Sequence, residues 1–190
     1  TGVEISELYD SMSQYPTHIS SPEYKKYITQ QRDADAKESD YKWSAGDTIR
    51  TAIGQSYNNY TSALMSKYVA TLANGGTRYS MHFLNKVTNN DGKTEEEYQP
   101  KVESKIEIKK ENLDAIFKGM FLVTTGPRGT LRNYFKDFPV DVAAKSGTAQ
   151  QSSKRSEHTT FVAFAPLEDP QISVCVIIPF GNGTTGPAPK

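Results

Sequence analysis

Apolar residues recur at spacings of three and four through the middle of this chain and give way near its end to runs rich in Val, Ile, Phe and Thr, so the pattern predicts helices first and strands last. Leu64, Met65, Tyr68, Val69 and Leu72 fall on one side of a helix. Thr61 or Ser62 can cap its start, and Asn74-Gly75-Gly76 supplies the left-handed conformation that ends it. A second helix begins near Lys110, with Leu113, Ile116, Phe117, Met120 and Phe121 on its buried side, and ends before Gly126-Pro127. A shorter helix follows Thr130. Residues 140–150, 158–165 and 172–180 are joined by short polar connections of turn-like composition and read as three sequential antiparallel strands. The fold class this predicts is α+β, an antiparallel sheet of C-terminal strands packed with helices on one or both faces.

The remaining segments are less patterned. Residues 1–45 are polar, with Ser20-Ser21-Pro22 as a break, and read as loops and short helices. Residues 46–79 read as a loop followed by the first strong helix, 80–109 as an exposed hairpin turning at Asn89-Asn90-Asp91-Gly92, 110–136 as helices and 140–180 as the strands. With 190 residues, the chain is expected to form one cooperative unit.

Composition narrows the classes of function. Lys plus Arg and Asp plus Glu both total 22, so the positive field that draws a protein to nucleic acid is absent. No apolar stretch approaches the roughly 20 residues needed to cross a bilayer. Cys175 is the one cysteine, which leaves no partner within the chain for a disulfide and none for a cysteine metal cluster; it reads as a small buried hydrophobe. His18, His82 and His158 lack metal-ligand spacing and read as surface or packing residues, so no metal and no cofactor are assigned.

The chemistry concentrates at Lys145-Ser146-Gly147-Thr148. Side chains alternate along a strand, so the Ser146 and Thr148 hydroxyls share one face and Lys145 starts from the other, while Gly147 removes the side chain that would keep a ligand off the backbone. Two hydroxyls and a nearby ammonium suit a carboxylate. If the strand lines an edge, its free N–H groups can pair with an extended peptide or stabilise an oxyanion.

Ala144-Lys145-Ser146-Gly147-Thr148-Ala149-Gln150 resembles the third signature of penicillin-binding proteins and serine β-lactamases. Further residues are similar to the transpeptidase domain of class B, high-molecular-mass penicillin-binding proteins. They are Asp47-Thr48-Ile49 leading to Ala52-Ile53-Gly54-Gln55, then Tyr57-Asn58 and the helix ending in Ala73-Asn74-Gly75-Gly76. Gly129-Thr130 before the strand, and His158 with Phe161-Val162-Ala163-Phe164-Ala165-Pro166 after it, extend the match. The resemblance covers 46–79 and 110–180, whereas 8–45 and 80–109 match nothing in the family pattern. Ser56 stands where the family often has glycine, and Thr159-Thr160 where an aromatic is common, departures that bear on subtype.

The resemblance implies the fold shared by serine β-lactamases and penicillin-binding transpeptidases, and an acyl-serine reaction on the D-Ala-D-Ala end of a peptidoglycan stem peptide, with β-lactams trapping the acyl-enzyme. It gives Lys145 and the Thr148 N–H catalytic roles, as site charge and oxyanion donor. Ser146, Gly147, Thr148, Ala149 and Gln150 become the substrate-binding strand, with the Ser146 and Thr148 hydroxyls on the carboxylate. Partners implied are the stem peptide, β-lactams and the rest of the transpeptidase domain; the place implied is the outer face of the bacterial cytoplasmic membrane.

The nucleophile requires serine followed three residues later by lysine, which on a helix turns the amine toward the hydroxyl it activates. Ser39-Asp40-Tyr41-Lys42 has those letters without the family's flanking residues, and Ser56-Tyr57-Asn58 mimics the second signature from inside the Gly54-Gln55 segment; both read as decoys. Thr1-Gly2-Val3-Glu4-Ile5-Ser6-Glu7 resembles the stretch just after the true second signature. The nucleophilic serine is therefore expected to lie outside this chain, which is read as a C-terminal portion of the domain, inactive by itself. Two other classes compete. A phosphate-binding use of Lys145-Ser146 requires a glycine-rich turn at a helix start, where this chain has Ala143-Ala144. A non-catalytic peptidoglycan- or divisome-binding module derived from the same fold is told apart by the upstream nucleophile motif.

Overall fold

The computed structural model describes residues 18–150 and 155–181. The chain divides into two compact units, one within Tyr9–Thr61 and the other holding everything from Ser62 onward, where the sequence reading expected a single cooperative body. The Thr1–Glu7 stretch and residues 151–154 lie outside the described residues.

In the first unit, α1 (Pro22–Arg32) starts where Ser21 Oγ accepts the Tyr24 N–H at 3.1 Å and Pro22 occupies the first turn, where its missing N–H costs nothing. Tyr24 and Ile28, one turn apart, are its buried apolar residues. A one-turn α2 (Glu38–Tyr41) follows. The segment read as a loop from residue 46 instead begins with a helix, α3 (Ala45–Ala52). Its capping box explains why: Ser44 and Asp47 each accept the other's backbone N–H, satisfying two donors that an unaided helix start leaves bare. Periodicity missed α3 because Ile49, its large apolar residue, and Ile53 at its C-terminal cap are exposed while Asp47 is fully buried.

The second unit is built on β5 (Ala143–Ala149), β6 (His158–Ala165) and β7 (Ile172–Ile178), an antiparallel sheet in the order β5-β6-β7. The register sets Lys145 opposite Val162, Ser146 opposite Phe161, Gly147 opposite Thr160 and Thr148 opposite Thr159. Because side chains alternate, the pair β5–β6 buries two faces. Ala143 and Phe164 meet Val69 of α4 (Ser62–Ala73) with Phe117 and Met120 of α5 (Lys110–Thr125). Val142, Ala144 and Ala163 meet Leu131, Val123 and Phe135, the last from α6 (Arg132–Phe135). The α+β arrangement expected from the sequence is what the structure shows.

Two expected helix faces need correction. On α4, Tyr68 is exposed and the buried positions are Lys67, Val69 and Thr71. The helix is covered on two sides: Val69 faces the sheet, while Lys67 pairs with Glu103 of a neighbouring ribbon, a buried charge that apolar periodicity cannot register. On α5, Ile116 is exposed and Thr124 is buried, its hydroxyl donating to the Val142 carbonyl at 2.7 Å and tying the helix to the residue that leads into β5. After α4 the chain turns through Gly75 (φ +80) and Gly76 (φ +105); a Cβ on Gly76 would lie 2.2 Å from the Ile106 carbonyl oxygen.

The segment read as one hairpin, 80–109, belongs to two strand pairs, the outer of which begins at Thr77. An inner pair, β2 (Lys86–Thr88) with β3 (Thr94–Glu97), is nested within an outer pair, β1 (Thr77–Tyr79) with β4 (Val102–Lys105). The inner ribbon is exposed on both faces, as its Lys- and Glu-rich sequence requires.

Candidate active site

Strand β5 has β6 on one side and no described strand on the other. Alternate backbone N–H and C=O groups along it therefore point away from β6. Beside it lies a groove of about 580 Å³, walled by Leu122 and Val123 of α5, by the turn through Pro127 to Thr130, and by Lys145 and Ser146.

Each wall is held by local chemistry. Helix α5 stops at Gly126, whose N–H still reaches the Leu122 carbonyl at 3.0 Å, and the tight turn closes with the Gly129 N–H on the Gly126 carbonyl at 2.9 Å. A Cβ on Gly129 would sit 2.5 Å from the carbonyl oxygens of both Leu122 and Val123, so only glycine permits this approach. Leu131, fully buried, donates its N–H to the Val123 carbonyl at 3.0 Å. Thr130 is thus pinned between two residues that cannot move, with its hydroxyl 3.4 Å from that of Ser146.

Of the residues singled out in the sequence, the structure brings Lys145 and Ser146 to the groove. Ser146 is buried while Lys145 is exposed, as alternation demands; the long lysine side chain nevertheless bends so that its ammonium donates to the Ser146 carbonyl oxygen. Gly147, Thr148, Ala149 and Gln150 continue the strand beyond the groove wall, with Thr148 and Gln150 exposed. A Cβ on Gly147 would meet Thr160 Cβ at an ordinary 3.6 Å. Glycine there is not demanded by packing, and its effect is to leave that stretch of strand surface bare. Sequence reasoning gave no site role to Thr130, Leu122 or Val123. The signal was the Gly126-Pro127-Arg128-Gly129 run, whose glycine spacing forces a turn back onto the helix end.

The decoy motifs have structural work of their own. Ser39 Oγ donates to Asp40 Oδ1 at 3.2 Å and is exposed. Asn58 Oδ1 accepts from the Ser20 N–H at 3.0 Å and the Tyr60 hydroxyl at 3.1 Å, while its amide donates to the Gln55 carbonyl at 2.9 Å, so this side chain serves a turn. Ser56 holds a left-handed conformation at φ 70. Each histidine stacks or packs on an aromatic ring: His18 on Tyr24, His82 on Tyr98 and His158 against Phe180. Cys175 is half-buried, and burial pushes its thiol above the ordinary value. No described helix is long and apolar enough to cross a membrane.

Known proteins share this sequence pattern and this fold. Residues 23–189 match the family described as "Penicillin binding protein transpeptidase domain". The chain is 35% identical over 160 residues to the peptidoglycan D,D-transpeptidase MrdA of Escherichia coli K12, covering 77% of this chain and 25% of that protein. It is 31% identical over 160 residues to penicillin-binding protein 2B of Streptococcus pneumoniae strain D39, covering 78% of this chain and 23% of that protein. Among solved structures, penicillin-binding protein 2B from S. pneumoniae strain R6 superposes with a TM-score of 0.66 at 30% identity, over 78% of this chain and 26% of that one. Pseudomonas aeruginosa PBP2 superposes with a TM-score of 0.63 at 30% identity, over 88% of this chain and 33% of that one. The chain spans about a quarter of the length of the curated relatives named here. By its sequence and its fold, this chain belongs to the penicillin-binding protein transpeptidase family, in its class B branch.

Proposed function

We propose that this chain supplies the substrate strand of a peptidoglycan D,D-transpeptidase, the wall of the active site that holds the acyl-D-alanyl group and the β-lactams that mimic it. The observation that carries the reading is the placement of Lys145 and Ser146 together on a groove beside the edge of β5 that pairs with no described strand.

In the reaction, a serine from outside this chain attacks the penultimate D-alanine carbonyl, the terminal D-alanine leaves, and an amine on a neighbouring strand takes the acyl group from the serine. Lys145 contributes positive charge to the groove. The Ser146 and Thr148 hydroxyls hold the substrate or penicillin carboxylate, and the Thr148 N–H donates to the oxyanion of the tetrahedral intermediate. Gly147 leaves close approach to the strand open, and Thr148 and Gln150, on either side of Ala149 and turned the same way by alternation, offer backbone groups to the extended peptide. Loss of a single oxyanion donor costs about 2.7–4 kcal/mol of transition-state stabilisation, so such a strand is part of the catalytic apparatus although it carries no nucleophile. The setting is the outer face of the cytoplasmic membrane, where peptidoglycan is assembled.

The test is covalent labelling with a fluorescent penicillin. Full-length protein is expected to label, and the 190-residue chain alone is expected to stay unlabelled. Label on Ser39 would overturn the assignment of the nucleophile. A full-length protein that never labels would make this strand part of a non-catalytic binding module.

A further inference from the structure

We propose that Thr130 is a positioning residue, which sets the direction of the Ser146 hydroxyl proton and thereby tunes recognition of the ligand carboxylate. The inference rests on the reading of Ser146 as a carboxylate donor and deepens it.

A serine hydroxyl has one proton to give and can accept two. The Thr130 and Ser146 hydroxyls lie 3.4 Å apart, and either can donate to the other. If Ser146 donates to Thr130, it has no proton left for a ligand. If Thr130 donates to Ser146, the Ser146 proton is free to point into the groove. An anion selects the second arrangement, and a chain running from Thr130 through Ser146 to a carboxylate polarises each link along it.

The fold treats Thr130 as a fixed part. Gly129 is jammed against the carbonyls of Leu122 and Val123, where no larger residue fits, and Leu131 is fully buried and hydrogen-bonded to the Val123 carbonyl. Those two anchors hold the intervening side chain at the groove mouth, exposed and within reach of any ligand that Ser146 touches. Ser146 is buried, so water competes poorly for its hydroxyl, and its orientation depends on such a neighbour.

The experiment compares acylation rates of full-length protein by a β-lactam carrying its free carboxylate and by the same compound as its methyl ester. Wild type is expected to favour the free acid. Thr130→Val keeps the shape and loses the hydroxyl. It should slow acylation by the acid about tenfold, the scale of one net hydrogen bond, and leave the ester rate nearly unchanged. Thr130→Ser should restore the preference. A thermal melt of each variant separates misfolding from loss of recognition. A Thr130→Val protein that keeps the full preference for the acid overturns the role of Thr130 while leaving that of Ser146 standing. A wild type that reacts equally with acid and ester removes the carboxylate reading of Ser146, and Thr130's role with it.

Discussion

Lys25 Nζ stands 2.9 Å from Asp47 Oδ2, an ion pair whose carboxylate is fully buried. The same oxygen accepts the Ser44 hydroxyl at 2.7 Å and the Ser44 N–H at 2.8 Å, and Arg50 reaches the other oxygen at 2.9 Å. Hydrogen bonding from Lys25, then from Ser44, outweighs burial and holds the Asp47 carboxyl far below its ordinary 3.8. The pair is the polar centre of a unit in which, among the described residues, the buried apolar side chains are Tyr24 and Ile28.

A carboxyl whose folded pKa is depressed stabilises the fold above its unfolded pKa, and that contribution is lost as pH falls toward the folded value. Stability of the first unit should therefore decline steadily below pH 3.8, the unfolded reference. Asp47→Asn should lower stability at neutral pH by about 3–5 kcal/mol, because Lys25 is left buried without its counter-charge, and should flatten the acid slope. Denaturant titrations of both proteins across the acid range check this; equal slopes would refute it.

A second buried charge ties α4 to the β1–β4 ribbon. Lys67 Nζ lies 2.5 Å from Glu103 Oε1, and Arg78 Nε lies 2.8 Å from Oε2. Burial alone would raise the Glu103 carboxyl, but the hydrogen bond and charge of Lys67, with the charge of Arg78, hold it below its ordinary value. Glu103→Leu by itself should destabilise by about 3 kcal/mol, since it strands the buried lysine. Lys67→Met together with Glu103→Leu should recover much of that loss. A urea double-mutant cycle measures the coupling, and additive losses would show that the two residues act independently.

Two glycines near the groove should respond in opposite directions to the same substitution. Gly129→Ala drives a methyl into two carbonyl oxygens and should cost about 1–3 kcal/mol. Gly119→Ala, within α5, meets no heavy atom inside 4 Å and should stabilise the helix by up to about 1 kcal/mol. Melting temperatures of the two variants, measured side by side, check the contrast; a Gly129→Ala protein as stable as wild type would mean that the turn relaxes freely.

Much of this architecture is legible without coordinates. Short Val, Ile and Phe runs with turn-like breaks favour strands, and the helix ending at Asn74-Gly75-Gly76 carries its own stop signal in residues that tolerate positive φ. What escaped were elements whose stability is polar. Helix α3 depends on Ser44 and Asp47 exchanging hydrogen bonds, and α4 buries Lys67 because Glu103 comes to meet it from 36 residues away. Apolar periodicity contains neither fact.

The candidate site divides in the same way. Lys145-Ser146-Gly147-Thr148 sets an ammonium and two hydroxyls within four consecutive letters of one strand, since alternation along a strand is a local property of the backbone. The groove is not local. It exists because Gly129 lets the chain fold back onto the carbonyls at the end of α5 and sets Thr130 beside Ser146, a neighbour 16 residues distant in sequence. Short-range order follows from each residue's own geometry and hydrogen-bonding capacity, and so the sequence alone determined the strands, the strongest helix stops and which polar groups the candidate strand carries. Which side chains meet across elements depends on long-range packing, and only the tertiary structure decided it.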